Sequence, residues 1–488
     1  MARADIVCRR PSLQGPHARD IVRAANRGAR GAISIVSIPS AQNATPVTSR
    51  NQLVEVLESG CKPPEEWRVG TEHEKFAYDA ATRWPLSYDA PNGIRVILEE
   101  LQRFGWQPLM EGDHVIGLKK DNQHVSLEPG GQVELSGAPL KTLHESCREV
   151  NAHLDQCQEV AEELGIIFLG LGLRPLDRRQ DVPWMPKGRY RIMREYMQKV
   201  GTMGLDMMVG TCTIQANLDF ASEADMVQKF RVAQALQAVT TALFANSPFS
   251  EGKPNGYLSM RAHIWTDTDN DRSGLLKFVT EDGFGFERYV DYALDVPMYF
   301  VLRDGRYIDA SGQSFRDFME GRLPALPGEI PTISDWEDHL TTLFPDVRIK
   351  RYMEVRGADG ASWRRICALP ALWTGLLYVS SQLDAAWEMV RDWTWEEQVQ
   401  MKADVPRLGL RAPFRSGTVQ DVARTMLEIS CEGLYRRRYY DGSLDEVHFL
   451  DSLMEIAMSG RTPAEILLDR WENAWGGSID PVFSEFSF

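Results

Sequence analysis

The chain of 488 residues is too long for one ordinary domain and too short for a large multidomain assembly, so one extended catalytic-type domain or two tightly joined ones are expected. Its composition, 43% hydrophobic and 25% charged with no apolar run near the ~20 residues of a membrane span, excludes transmembrane and wholly disordered chains. A net charge of -15 repels a phosphate backbone, which excludes a general nucleic-acid binder and leaves small anions to local cations or metal ions.

The first 49 residues hold seven Arg, no Lys and only two acids, Asp5 and Asp20. We read residues 1–47 as a basic, disordered extension of a cytoplasmic protein, in preference to an organelle-targeting segment of similar composition. Residues 48–488 read as a single catalytic domain. A short amphipathic helix is expected over 51–59, a strand with alternating polar residues over 66–78, and a helix over 93–104. Two short strands then flank the turn Pro129-Gly130-Gly131, from Val125 to Leu135. Strong helical periodicity over 140–164 precedes strands over 166–173 and 211–220, and a long helix over 221–245 that Ser222 can cap. A further strand is expected over 347–355, and nearly everything from about 363 onward is helical. Strands and helices do not alternate steadily, which points to an α+β fold with a mostly antiparallel sheet.

Seven cysteines without a CxxC pair exclude a disulfide scaffold and the usual structural zinc spacing, and imply a reducing compartment. There is no GxxxxGK[ST] loop, GxSxG elbow or HExxH. Instead, acids are spaced for one face of a sheet. Glu72 and Glu74 are two residues apart, so a strand projects both to the same side about 7 Å apart. The Pro-Gly-Gly turn separates Glu128 from Glu134, and Glu354 lies among arginines. With Gln215 on an alternating strand, these side chains form an oxygen-ligand set suited to Mg²⁺ or Mn²⁺. Arg261, Arg351 and Arg356 suit phosphates and a carboxylate, and the ensemble suits phosphoryl transfer from a metal nucleotide. The same acids also fit a solvent face of an antiparallel sheet, and Glu354 a surface ion pair.

Long strings in order resemble the plant and proteobacterial type of glutamate–cysteine ligase: Trp67-Arg-Val-Gly-Thr-Glu-His-Glu-Lys-Phe76, Ser126-Leu-Glu-Pro-Gly-Gly-Gln-Val-Glu-Leu-Ser-Gly137, Met185-Pro-Lys-Gly-Arg-Tyr190, His263-Ile-Trp-Thr-Asp-Thr-Asp269 and Arg351-Tyr-Met-Glu-Val-Arg-Gly-Ala-Asp359. The resemblance implies a curved sheet forming a funnel flanked by helices, as in glutamine synthetase. It also implies ligation of L-glutamate to L-cysteine through γ-glutamyl phosphate, with ATP and Mg²⁺ (or Mn²⁺), in the first step of glutathione synthesis. Metal roles fall by resemblance on Glu72, Glu74, Glu128, Glu134 and Glu354, with Gln215 a further ligand. Arg189, Arg261, Tyr299, Thr213 and Arg364 would contact substrate, Arg356 and Lys187 the nucleotide, and Arg261 and Arg356 would act in catalysis. One cysteine pair of the redox-controlled plant enzymes is present, Cys147 and Cys367, whereas Ala310 and Ala325 replace the other. Feedback by glutathione is implied, and either a monomer or a homodimer is compatible. A different amine acceptor, or a non-catalytic binding protein on the same scaffold, stays open.

Overall fold

The computed structural model describes residues 43–488. The expected disorder of the N-terminal extension falls mostly outside these residues, but residues 43–47 belong to the fold. Val47 is fully buried and donates its N–H to Pro331 O (2.8 Å), and Thr45 O accepts from Ile333 N–H (2.9 Å).

Helix α1 (Arg50–Glu58) precedes the central strand β1 (Val69–Asp79). Helix α2 (Ile94–Leu101) leads to four strands in meander order: β2 (Gln107–Glu111), β3 (His114–Lys120), β4 (Gln123–Leu127) and β5 (Val133–Ser136). Then follow α3 (Leu143–Leu164), β6 (Ile166–Leu169), α4 (Gly188–Val200), α5 (Gly204–Gly210), β7 (Thr213–Leu218), α6 (Glu223–Phe244) and the short α7 (Met260–Ile264). Strands β8 (Val347–Ile349) and β9 (Met353–Asp359) close the sheet, and α8 (Trp363–Leu377) opens the helical C-terminal part. The sheet order is β8-β9-β7-β1-β5-β4-β3-β2, with β6 pairing the end of β1, and every pairing is antiparallel.

Local chemistry fixes these elements. A capping box joins Thr142 to Glu145 at the start of α3, and the Ser222 hydroxyl accepts from Asp225 N–H at the start of α6, as its position predicts. Gly131 sits at φ +80°, in the left-handed region glycine adopts without strain, which closes the β4–β5 turn. Two strand expectations change. Residues 347–359 form a hairpin reversing at Lys350–Tyr352, with Val347 opposite Val355, where the sequence reads as one strand. Strands β2 and β3 escape the sequence pattern because most of β2 is exposed and carries little of the β-branched signature.

Side chains on β1 divide by parity. His73 and Lys75 are fully buried toward α3, where the His73 and His153 rings pack 5.7 Å apart. Glu72 and Glu74 therefore face the opposite side, and that side carries the chemistry.

Candidate active site

Register brings the acids together. Glu74 stands opposite Glu134 across the β1–β5 pair, and Glu72 stands opposite Gln215 across β1–β7. Glu72, Glu74, Glu128, Glu134, Thr213 and Gln215 all line one cleft. Arg189, Arg261, Arg348 and Arg356 line it as well, so acids and guanidinium groups share one compartment. A smaller adjoining recess shares Arg261, Trp265, Phe344 and Arg356 and adds the ion pair of Lys402 with Asp346.

Neutral donors hold three of the acids. Asn217 Nδ2 donates to Glu72 Oε1 (2.8 Å), Thr213 N–H to Glu74 Oε2 (2.8 Å), and the Ser126 hydroxyl to Glu134 Oε2 (2.8 Å). Burial, followed by repulsion from Glu354 and Glu134, pushes the Glu72 carboxyl from its ordinary 4.5 to about 8. Burial and the Glu128 charge push Glu134 to about 7, and Glu74 is raised by burial, Glu134 and Glu128. Crowded carboxyl oxygens of this kind fit a hard divalent cation. Among the described residues, no three acidic, His or Cys side chains already stand together as a metal cluster.

Arg261 and Arg356 form the facing wall. Arg261 is buried, donates through Nη2 to Arg356 O (3.1 Å) and lies 4.0 Å from Asp359 Oδ1. Its Nε is buried without a hydrogen-bond partner, an arrangement a bound carboxylate or phosphate would complete. Burial lowers the pKa of both arginines. Arg356 donates to Gln215 Oε1, which ties the amide of that expected ligand to the basic wall.

Four sequence expectations are corrected. Glu354 is fully buried but neutralised by Arg348, Lys350 (2.6 Å) and Arg356 (3.4 Å), and it does not line the cleft; these cations hold its carboxyl well below the usual range despite burial. Lys187 donates to Leu127 O (2.8 Å), so its ammonium braces the strand leading to Glu128 and does not line the cleft. Burial brings its pKa to about 8. Tyr299 is packed beneath the Arg272 guanidinium (3.8 Å to the ring centroid), with its hydroxyl donating to Asp269 Oδ2 (3.3 Å), away from the cleft lining. Arg364 is exposed at the start of α8 over the Trp363 ring. Sequence reasoning missed Arg348, Trp265 and Phe344 as lining residues. Trp265 lies inside a quoted motif string, whereas Arg348 and Phe344 carry no spacing signal.

Cys147 on α3 and Cys367 on α8 come together, with Sγ atoms 2.7 Å apart. The Cys367 thiol lowers the pKa of Cys147 by hydrogen bonding to it.

A sheet face of acids opposed by arginines defines a site of the phosphoryl-transfer class, in which fixed charges position anions. The family model for glutamate–cysteine ligase family 2 (GCS2) matches residues 68–485. A chloroplastic glutamate–cysteine ligase of Brassica juncea is 57% identical over 91% of this chain and 85% of its own length. A chloroplastic glutamate–cysteine ligase A of Oryza sativa subsp. japonica is 56% identical over 96% and 94%. A crystal structure of the Francisella tularensis glutamate–cysteine ligase in complex with AMP shares the fold, with TM-score 0.53 and 11% identity, over 86% of this chain and 89% of that one. The chain belongs to the glutamate–cysteine ligase family, and it is an enzyme of the ligase class. The expected fold and family are thus borne out. The expected cytoplasmic location is overturned by relatives that are named as chloroplastic.

The raised carboxyls set a pH dependence of stability. A group whose pKa is raised in the fold stabilises it fully below the unfolded value, and that contribution is lost as pH rises through the folded value. For Glu72 the window runs from 4.5 to about 8. His124 and His339, both lowered to about 4, act in the opposite direction only below 6.5. Between about pH 6.5 and 8 the metal-free protein is therefore expected to lose thermal stability, and Glu72→Gln to flatten that slope. Melting temperatures of both proteins across this range check it; an unchanged slope in the variant would remove the electrostatic account of Glu72.

Proposed function

We propose that the protein joins the γ-carboxyl of L-glutamate to the amine of L-cysteine using ATP, the first step of glutathione synthesis, with Mg²⁺ or Mn²⁺ at Glu72, Glu74, Glu128 and Glu134. The observation that carries this reading is the single cleft in which those four acids face Arg189, Arg261 and Arg356. It is supported by relatives of more than half identity named for that ligation. The glutamate γ-carboxylate attacks the γ-phosphorus of ATP and ADP leaves; the cysteine amine then attacks the acyl carbon and phosphate leaves. No covalent enzyme nucleophile is needed. When bound, the divalent ion offsets the repulsion between a carboxylate and a polyphosphate.

The chain's own residues hold and align the anions. Arg261, whose Nε lacks a partner, receives a glutamate carboxylate together with Arg189. Arg356, between the cleft and the recess, holds phosphate oxygens. Trp265 and Phe344 form an apolar edge that limits water where the acyl phosphate would otherwise hydrolyse. The plastid location of the relatives comes to this chain with the same reading, supported by its Arg-rich, acid-poor first 49 residues.

Phosphate release is expected to require glutamate, cysteine, ATP and Mg²⁺ together. A coupled ADP-release assay omitting each in turn checks this, and faster turnover with 2-aminobutyrate than with cysteine would reassign the acceptor. Arg261→Ala is expected to raise the KM for glutamate by about 10–100-fold, the loss of a charge-assisted contact of roughly 1.5–3 kcal/mol; an unchanged KM would place the carboxylate elsewhere.

The 2.7 Å approach of Cys147 and Cys367 favours redox control as a second property of the same enzyme. A dithiol oxidant such as a small-molecule disulfide would take two electrons from the pair, form one Sγ–Sγ bond and carry off both protons. Peptide mapping after oxidation is expected to recover the cross-linked pair; two freely alkylated thiols would dismiss it.

A further inference from the structure

We propose that Arg174, outside the carboxylate set, is the positioning residue that keeps Glu128 and Glu134 in register with Glu72 and Glu74. The inference rests on the metal reading above. Arg174 is 3% exposed. Its Nη2 donates to Gly130 O (2.7 Å), at the centre of the turn between the two acidic strands, and its Nε donates to Val209 O (2.9 Å) at the end of α5. Its backbone N–H donates to Gly210 O (2.9 Å), so both ends of the side chain are anchored to the same segment.

The guanidinium also touches β1, the strand that carries Glu72 and Glu74. Its carbon lies 4.7 Å from the Phe76 ring centroid and 5.2 Å from that of Tyr78. Phe76 and Tyr78 continue the parity of Glu72 and Glu74, so one face of β1 presents two acids and then two rings that carry this cation. Asp177 completes the patch, accepting from the Tyr78 hydroxyl (2.7 Å) and lying 3.7 Å from Arg174 Nη1. A single planar fork thus spans β1, the β4–β5 turn and α5, the three elements whose relative placement sets the spacing of the acids.

Two features make the clamp tight. Gly130 approaches Val209 so closely that a Cβ would meet Val209 O at 2.5 Å. Gln132, from inside the cleft, accepts from Gly130 N–H (2.9 Å) and donates to Thr211 O (2.9 Å), strapping the same turn to the same segment. Lysine keeps the charge but has no fork to reach both carbonyls.

The test compares Arg174→Lys, Gly130→Ala and Asp177→Asn in the full chain. Mn²⁺ binding to the nucleotide-free protein, steady-state kinetics and melting temperature are read for each. Arg174→Lys is expected to weaken Mn²⁺ binding and lower kcat by about 10-fold or more, while the KM for glutamate moves less than about threefold. Gly130→Ala, which pushes the turn off Val209 without removing a charge, is expected to do the same. Asp177→Asn disturbs the same buried patch but leaves both carbonyl bonds, so Mn²⁺ affinity and kcat should stay within about twofold even if melting falls. Folded Arg174→Lys with wild-type affinity and kcat would overturn the proposal, as would equal losses in Asp177→Asn, which would mark a purely structural role. If Arg174→Lys does not fold, Gly130→Ala decides, and unchanged Mn²⁺ affinity there overturns it. A wild-type protein that binds no Mn²⁺ would fail the metal reading itself and the proposal with it, a result distinguishable because no substitution is involved.

Discussion

Because β1 is hydrogen-bonded on both edges, Glu72 and Glu74 cannot turn away from each other. Strand geometry holds them about 7 Å apart on one face, and the register with β5 and β7 sets Glu134 and Gln215 directly beside them. At an effective dielectric near 20, two unit charges at that distance repel by about 2 kcal/mol. Burial and crowding with other carboxyls raise the pKa of Glu72, Glu74 and Glu134, and a proton or a divalent cation relieves that cost. Rising pH removes the first, for Glu72 only as it approaches about 8.

Strand β9, one strand removed from β1, shows that the choice is not forced by burial. Glu354 is as deeply buried, yet Arg348, Lys350 and Arg356 surround it and keep it ionised. One edge of the sheet is thus self-neutralised and rigid, while its centre is left electrostatically incomplete. Arg356 belongs to both regions, since it touches Glu354 and Gln215 and lines the cleft. Incomplete charge at the centre and fixed guanidinium groups at the wall are the two halves a carboxylate–polyphosphate reaction requires.

What could be read beforehand follows the same physics. Period-two spacing of Glu72 and Glu74, and a Pro-Gly-Gly turn between Glu128 and Glu134, are local signals, and the sheet realises both. The helix over 143–164 was legible from its periodicity, and that over 223–244 carries a legible cap at Ser222. The hairpin at residues 347–359 was not, because Lys350-Arg351-Tyr352 carries no glycine or proline to mark its reversal. Lys187 and Tyr299 point elsewhere than expected for a related reason: the sequence around a residue fixes its neighbourhood but not its side-chain direction. Lys187 spends its ammonium on the Leu127 carbonyl, and Tyr299 its hydroxyl on Asp269, partners more than 25 residues distant. Long-range pairing of this kind leaves no trace in spacing.

The most direct measurement is anomalous diffraction from crystals grown with Mn²⁺ and a non-hydrolysable ATP analogue. The account predicts manganese within roughly 2.0–2.3 Å of carboxylate oxygens from Glu72, Glu74, Glu128 and Glu134, with the polyphosphate on the side of Arg356. Manganese bound only to phosphate, with those four carboxylates uncoordinated, would contradict it.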